Sequence, residues 1–314
     1  MKRRHAMKWG IFSGALWGLD TSILALALVF VPFLDASESS LSSALLHDVT
    51  AALVLLVYMG LRGRLHDSLA AVKTQSGRAV MLGALLGGPF GMTGYLIAIN
   101  HIGPGFTAII STFYPAVGTV LAFVFLKERM SPKQIIALLC ALGAIVMIGY
   151  SSTQTVTEGN PVLGVIAALA CVFGWGSEAV ILAWGMRDDV VDNETALHIR
   201  ETTSALVYVI VVAPIAGIVG FTLRAIPTAG TGVIAIAAIA GTASYLFYYK
   251  AIDTVGASRG MALNISYSAW AVIFAFLLQG TVPSVLQIVC CVVILVGTVL
   301  AATPNWKELR SQFK

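Results

Sequence analysis

Trp17 stands three residues before Asp20, and Trp175 three residues before Glu178, in the fragments Trp17-Gly-Leu-Asp20 and Trp175-Gly-Ser-Glu178. Residues three apart share a helical face, so each indole lies beside its carboxylate. That pairing suits a cation. A quaternary ammonium has no N–H to donate and is drawn to ring faces, so an aromatic cage with a nearby acid is the natural way to hold it. Tyr245, Tyr248 and Tyr249 share another helical face, and Tyr267 precedes Trp270 by one turn. Simple packing of rings in a core is the competing reading. Trp9 and Trp306, near charged segments, read as interfacial anchors. His47 and Asp48 are adjacent, and read equally as a polar surface pair or as proton-coupling groups alongside Asp20 and Glu178.

The elements that must position these residues are membrane helices. The chain of 314 residues is 58% hydrophobic and 11% charged, with mean hydropathy +0.89, whereas soluble domains carry roughly a quarter charged residues. A crossing needs about 20 apolar residues. Apolar runs bounded by charge, Pro or Gly place helices at 9–33, 41–61, 79–99, 104–126, 132–150, 161–185, 196–220, 230–250, 257–278 and 283–303. The first run is too long for a signal-peptide core and reads as a retained helix. No polar stretch is long enough for a separate soluble catalytic domain, so no catalytic residue and no cofactor is assigned.

Charge sets the direction. Eighteen of the 19 Lys and Arg fall at the termini or in alternate connections, and Arg224 alone falls on the other side. Cytoplasmic loops collect basic residues, so both termini are expected on the cytoplasmic side of the membrane. The net charge of +4 then reflects topology, and no nucleic-acid partner is implied. On this reading Asp20, Asp48 and Glu178 are the carboxylates away from helix ends, and no Lys or Arg lies at their depth. An acid-only interior suits a cationic substrate, a proton, or both. Cys140, Cys171, Cys290 and Cys291 fall within helices without metal-ligand spacing, and read as buried apolar residues.

The two halves repeat. Besides the Trp-Gly-x-acid pair, Gly91-x-x-x-Tyr95-Leu96 recurs as Gly241-x-x-x-Tyr245-Leu246. Gly103, Tyr114, Ala116, Ser131, Gln134 and Ile135 match Gly256, Tyr267, Ala269, Ser284, Gln287 and Ile288. Residues 1–155 and 156–314 are therefore expected to form two five-helix units. An odd number of crossings per unit inverts the second copy. The fold class is an all-α polytopic membrane protein, ten transmembrane helices in a 5+5 inverted repeat, the ground plan of secondary transporters. Pro89 and Pro115 are expected to kink their helices.

This layout, with Trp-Gly near the start of each half and Phe125-Leu126-Lys127-Glu128 closing the fourth helix, resembles the EamA-type drug/metabolite transporter superfamily. Gly87-Gly-Pro-Phe-Gly-Met-Thr-Gly-Tyr95, Thr107 to Val117, Phe173-Gly-Trp-Gly-Ser-Glu178, Gly241-Thr-Ala-Ser-Tyr245 and Ala262-Leu-Asn-Ile-Ser-Tyr-Ser-Ala-Trp270 are similar to the Lic-type bacterial choline permeases. The resemblance implies choline import with an aromatic site and proton coupling. It implies Trp17, Trp175, Tyr245 and Trp270 as walls of the ammonium cage, Glu178 as counter-charge, and Tyr249, Tyr267 and Asn264 as further substrate contacts. Asp20 is proposed from the residues alone.

Two rival functions remain. One is export of amino acids or other metabolites within the same superfamily, although a substrate carboxylate would want a cation that this reading does not place at depth. The other is an intramembrane prenyltransferase, since Asp188-Asp189-Val-Val-Asp192 spells a DDxxD pattern that could hold magnesium diphosphate. No second acidic cluster faces it, so it reads as a solvated acidic loop before the seventh helix.

Overall fold

The computed structural model describes residues 2–34, 36–151, 159–187, 190–304 and 306. The boundary expected between residues 155 and 156, and Asp188 and Asp189 of the DDxxD string, lie outside the described residues. Among the described residues, ten helices are long and apolar enough to cross a membrane: α1 (Met7–Ala27), α2 (Ser39–Leu61), α3 (Gln75–Gly103), α4 (Gly105–Leu126), α5 (Pro132–Tyr150), α6 (Pro161–Gly185), α7 (Asn193–Ala216), α8 (Ala229–Val255), α9 (Ala257–Gln279) and α10 (Val285–Ala302).

Helix starts follow their caps. Thr74 accepts the Gly77 N–H at 3.0 Å, which starts α3 earlier than hydropathy places it. Asp192 accepts the Thr195 N–H at 2.8 Å and starts α7 at Asn193 rather than 196. An oxygen that satisfies one of the orphan amides of a first turn fixes the helix start more sharply than an apolar window can.

The inverted repeat is written in the backbone. Gly103 links α3 to α4 at φ 78°, ψ 161°, and Gly256 links α8 to α9 at φ 92°, ψ 163°. That region is open to glycine and closed to most other residues. Lys127 after α4 and Gly280 after α9 are both left-handed, at φ 59° and 69°. Ser131–Gln134 opens α5 and Ser284–Gln287 opens α10 with the same reciprocal capping box. These pairs keep one spacing, so the two halves bend at corresponding places.

The halves interlock rather than sit side by side. α1 packs on α8 and α9, while α6 packs on α3 and α4; α2 meets α7, and α5 meets α10. The first helix of each unit therefore lies in the opposite unit. Pro89 sits in a π-helical turn at Leu86–Phe90, and Pro115 in the first turn of the helix resuming at Tyr114, so each proline lies where the regular α-helical hydrogen bonding is interrupted. Large apolar residues such as Leu53, Val57, Ile166 and Val289 are exposed on the outer faces, as a lipid-facing surface requires. Cys171, Cys290 and Cys291 are buried, but Cys140 is exposed because it lies on the outward face of α5.

Candidate functional site

A cavity of about 280 Å³ lies between the interlocked halves, lined by α1, α2, α3, α4, α6, α7, α8 and α9. It runs toward the end where α1 finishes and α2 begins, with Leu28 and Ser40 among its outermost lining residues. At the opposite end the connections are tied together. Arg62 and Arg64 of the α2–α3 connection both reach Glu194 at 2.7 Å, and Arg64 also reaches Asp67 at 2.7 Å and Asp192 at 2.6 Å. The bonds to Asp67 and Asp192 hold the Arg64 guanidinium more firmly protonated than usual. Partial burial works against ionisation of Asp192, but the Thr195 amide and Arg64 outweigh it and keep its carboxyl below the ordinary value. Asp192 is thus occupied as a helix cap and an ion-pair partner, which leaves the DDxxD string without a free third carboxylate.

One wall of the cavity is aromatic. Trp17 stacks on Tyr267 with centroids 4.1 Å apart and meets Trp175 edge-on at 6.4 Å. Tyr95 stacks on Trp175 at 5.5 Å, and Tyr114 meets it edge-on at 5.8 Å. The Trp175 indole donates to the Gly87 carbonyl at 3.0 Å, at the π-helical turn of α3, which fixes its plane. The Tyr114 hydroxyl donates to Asn264 Oδ1 at 3.1 Å, and Asn264 Nδ2 donates to Ser13 Oγ at 2.7 Å. Five ring systems from α1, α3, α4, α6 and α9 thereby form one cluster.

The other wall is ionic and continuous. His47 Nε2 lies 3.1 Å from Asp20, and its Nδ1 lies 3.7 Å from Asp48. Asp48 accepts the Ser204 hydroxyl and lies 4.0 Å from Arg200. Arg200 donates to Glu178 at 2.9 Å and to Glu201 at 3.0 Å, and its guanidinium sits 4.8 Å over the Tyr245 ring.

The structure corrects the acid-only interior. Arg200, assigned from charge to a connection, is 5% exposed and lies about two turns inside α7 because Asp192 starts that helix early. Glu178 is therefore already paired, and is not a free counter-charge. Glu201, absent from the sequence expectations, is a fourth carboxylate at 2% exposure.

Among the expected substrate contacts, Trp17, Trp175, Glu178, Tyr245, Tyr267 and Asn264 line the cavity, as do Asp20, His47 and Asp48. Two do not. Trp270 is drawn against α1, where Gly18 comes so close that a Cβ there would lie 2.6 Å from the Trp270 Cβ, and its ring tilts over Phe274. Tyr249 is fully buried behind Tyr245 and Tyr248. Periodicity fixes which residues share a face, and the neighbouring helices fix which part of that face looks into the cavity. Tyr95 and Tyr114 join the site without being expected there, and the signal that points to them is the repeat, which pairs them with Tyr245 and Tyr267. Arg200-Glu201 in α7 likewise echoes His47-Asp48 in α2, a base followed by an acid at similar distance from the helix start.

The EamA-like transporter family model matches residues 8–150 and again residues 162–303, one copy for each five-helix unit. Protein LicB of Haemophilus influenzae is 29% identical over 197 residues, covering 63% of this chain and 65% of its own length. The match thus spans just under two thirds of that relative. A solved crystal structure superposes with TM-score 0.72 at 17% identity over 99% of both chains, which carries the fold alone.

Proposed function

The chain belongs to the EamA-like transporter family, and on that premise we propose that it imports choline, or a closely related methylated amine, across the bacterial cytoplasmic membrane. Both termini face the cytoplasm in this reading, so the cavity runs toward the outside and the Arg62–Arg64 cluster closes the cytoplasmic end. The observation that carries the proposal is the five-ring cluster built around Trp17 and Trp175, lining the same cavity as a network in which carboxylates outnumber bases. Ring faces attract a trimethylammonium, and the surplus negative charge offsets its cost of leaving water. Similarity to Protein LicB agrees with the Lic-type strings in the sequence.

Transport follows by alternating access. Choline enters from the outer end, its headgroup displaces water between the rings, and the interlocked halves rock so that the Arg62 and Arg64 ion pairs separate. One positive charge gains about 2.3 kcal/mol per 100 mV of inside-negative potential, and a cotransported proton adds to the drive. Glu178, Asp20, Asp48 and His47, with Arg200 between them, form the charged network whose balance that proton alters.

Arg200 favours one second reading, export of an amino acid or other metabolite, because it supplies the buried cation a substrate carboxylate would want. Its donors are already engaged by Glu178, Glu201 and Tyr245, so the cationic substrate is preferred. Uptake of radiolabelled choline into proteoliposomes, with and without imposed potential and pH gradient, tests the proposal. Saturable uptake driven by the gradients and lost in Trp175→Ala is the expected result. Folded protein that takes up no choline but releases preloaded amino acids would establish the export reading instead.

A further inference from the structure

The cavity's ionic wall can be counted. Asp20, Asp48, Glu178 and Glu201 are its carboxylates, and Arg200 and His47 its bases. His47 Nε2 is within hydrogen-bond distance of Asp20 and its Nδ1 lies 3.7 Å from Asp48, and two flanking carboxylates favour the positively charged imidazolium by Coulomb attraction. With His47 and Arg200 both charged, four ionised acids leave two negative charges uncompensated. Such an excess is tolerable while the cavity holds water and costly once the halves close over it.

One monovalent organic cation removes one of the two, so a second positive charge is needed before closure. Glu201 is where it fits. Its Oε1 accepts from Arg200 at 3.0 Å, but its Oε2 is sealed from solvent with no hydrogen-bond partner among the described residues. An ionised carboxylate with one oxygen so placed is the costliest of the four to keep charged, and a proton on Oε2 removes that cost. The groups facing Glu201 are His47 and Asp48 from α2, Glu178 from α6, Arg200 from its own helix, and Tyr245 and Tyr249 from α8.

We propose that Glu201 is the proton-carrying residue and that the cavity closes only around one organic cation plus one proton, giving a 1:1 symport that moves two positive charges per cycle. The proton comes from outer cavity water when a side-chain movement exposes Oε2 to it, and returns to water on the cytoplasmic side. This rests on the cation-import reading and fixes its stoichiometry.

The test is the membrane potential at which net choline flux into proteoliposomes vanishes against a tenfold choline gradient. Two charges per choline balance that gradient at about 30 mV, and one charge at about 59 mV. Wild-type protein is expected near the lower value at equal pH, shifting when a pH gradient is added. Glu201→Gln is expected near the higher value with no response to pH, and Glu201→Asp, which keeps a titratable group, near the wild type. Choline binding by calorimetry verifies that each variant is folded. Wild-type balance at one charge would overturn the stoichiometry while leaving choline import intact. Coupling retained in Glu201→Gln but lost in Glu178→Gln would overturn the assignment to Glu201, and absence of choline binding by the wild type would overturn the import reading itself.

Discussion

The two walls of the cavity are built on different physical terms. The aromatic wall is a set of rings that touch one another, with one hydrogen bond fixing Trp175 and another holding Tyr114, so each ring contributes largely through its own face. The ionic wall is a chain in which Asp20, His47, Asp48, Arg200, Glu178 and Glu201 each depend on the next. Removing a ring leaves a gap, whereas removing one charge strands another in an apolar interior. The aromatic wall should therefore govern affinity, and the ionic wall both stability and coupling.

The largest effect that would break this contrast is at Arg200. Arg200→Met keeps much of the side-chain volume but leaves Glu178 and Glu201 without their cation, and is expected to cost about 3–5 kcal/mol, read as a loss of thermal stability in detergent together with loss of uptake. If Arg200→Met unfolds near the wild-type temperature, the ionic wall is not a single dependent network. Next comes Trp175→Ala, which should weaken choline binding by about 2 kcal/mol, or about 30-fold in Kd, with a much smaller change in unfolding temperature; calorimetry and a thermal melt read the two together.

A smaller effect is expected outside the membrane, where the same chemistry is wet. Asp192 titrates below its ordinary value in the fold, so its contribution is complete above the unfolded value near pH 4 and is lost as pH falls through the folded value. Because Asp192 is substantially exposed, that contribution is screened to under about 1 kcal/mol. Comparing wild type with Asp192→Asn, the melting difference present at pH 7 should shrink below about pH 4. Smallest of all is Trp270→Phe, whose ring lies off the cavity against Gly18 of α1; choline affinity is expected to stay within about twofold, and a loss approaching that of Trp175→Ala would return Trp270 to the site.

Residue types and spacing alone carried the ten crossings, the repeat and most of the aromatic wall. Apolar runs of bilayer length need no tertiary information, and a repeat is a comparison of the chain with itself. Trp17 and Trp175 stand beside their acids because three residues return to one helical face, and Tyr95 and Tyr114 were within reach by applying the repeat to Tyr245 and Tyr267. Tertiary structure alone decided that Arg200 is interior, that Glu178 is already paired, and that Trp270 and Tyr249 look away from the cavity. The reason is geometric. A hydropathy window averages over a full turn and cannot tell a charge facing lipid or water from one facing other charges, and only the packing of α2 against α7 across the two halves brings Asp48 to Arg200 and joins those groups into one network.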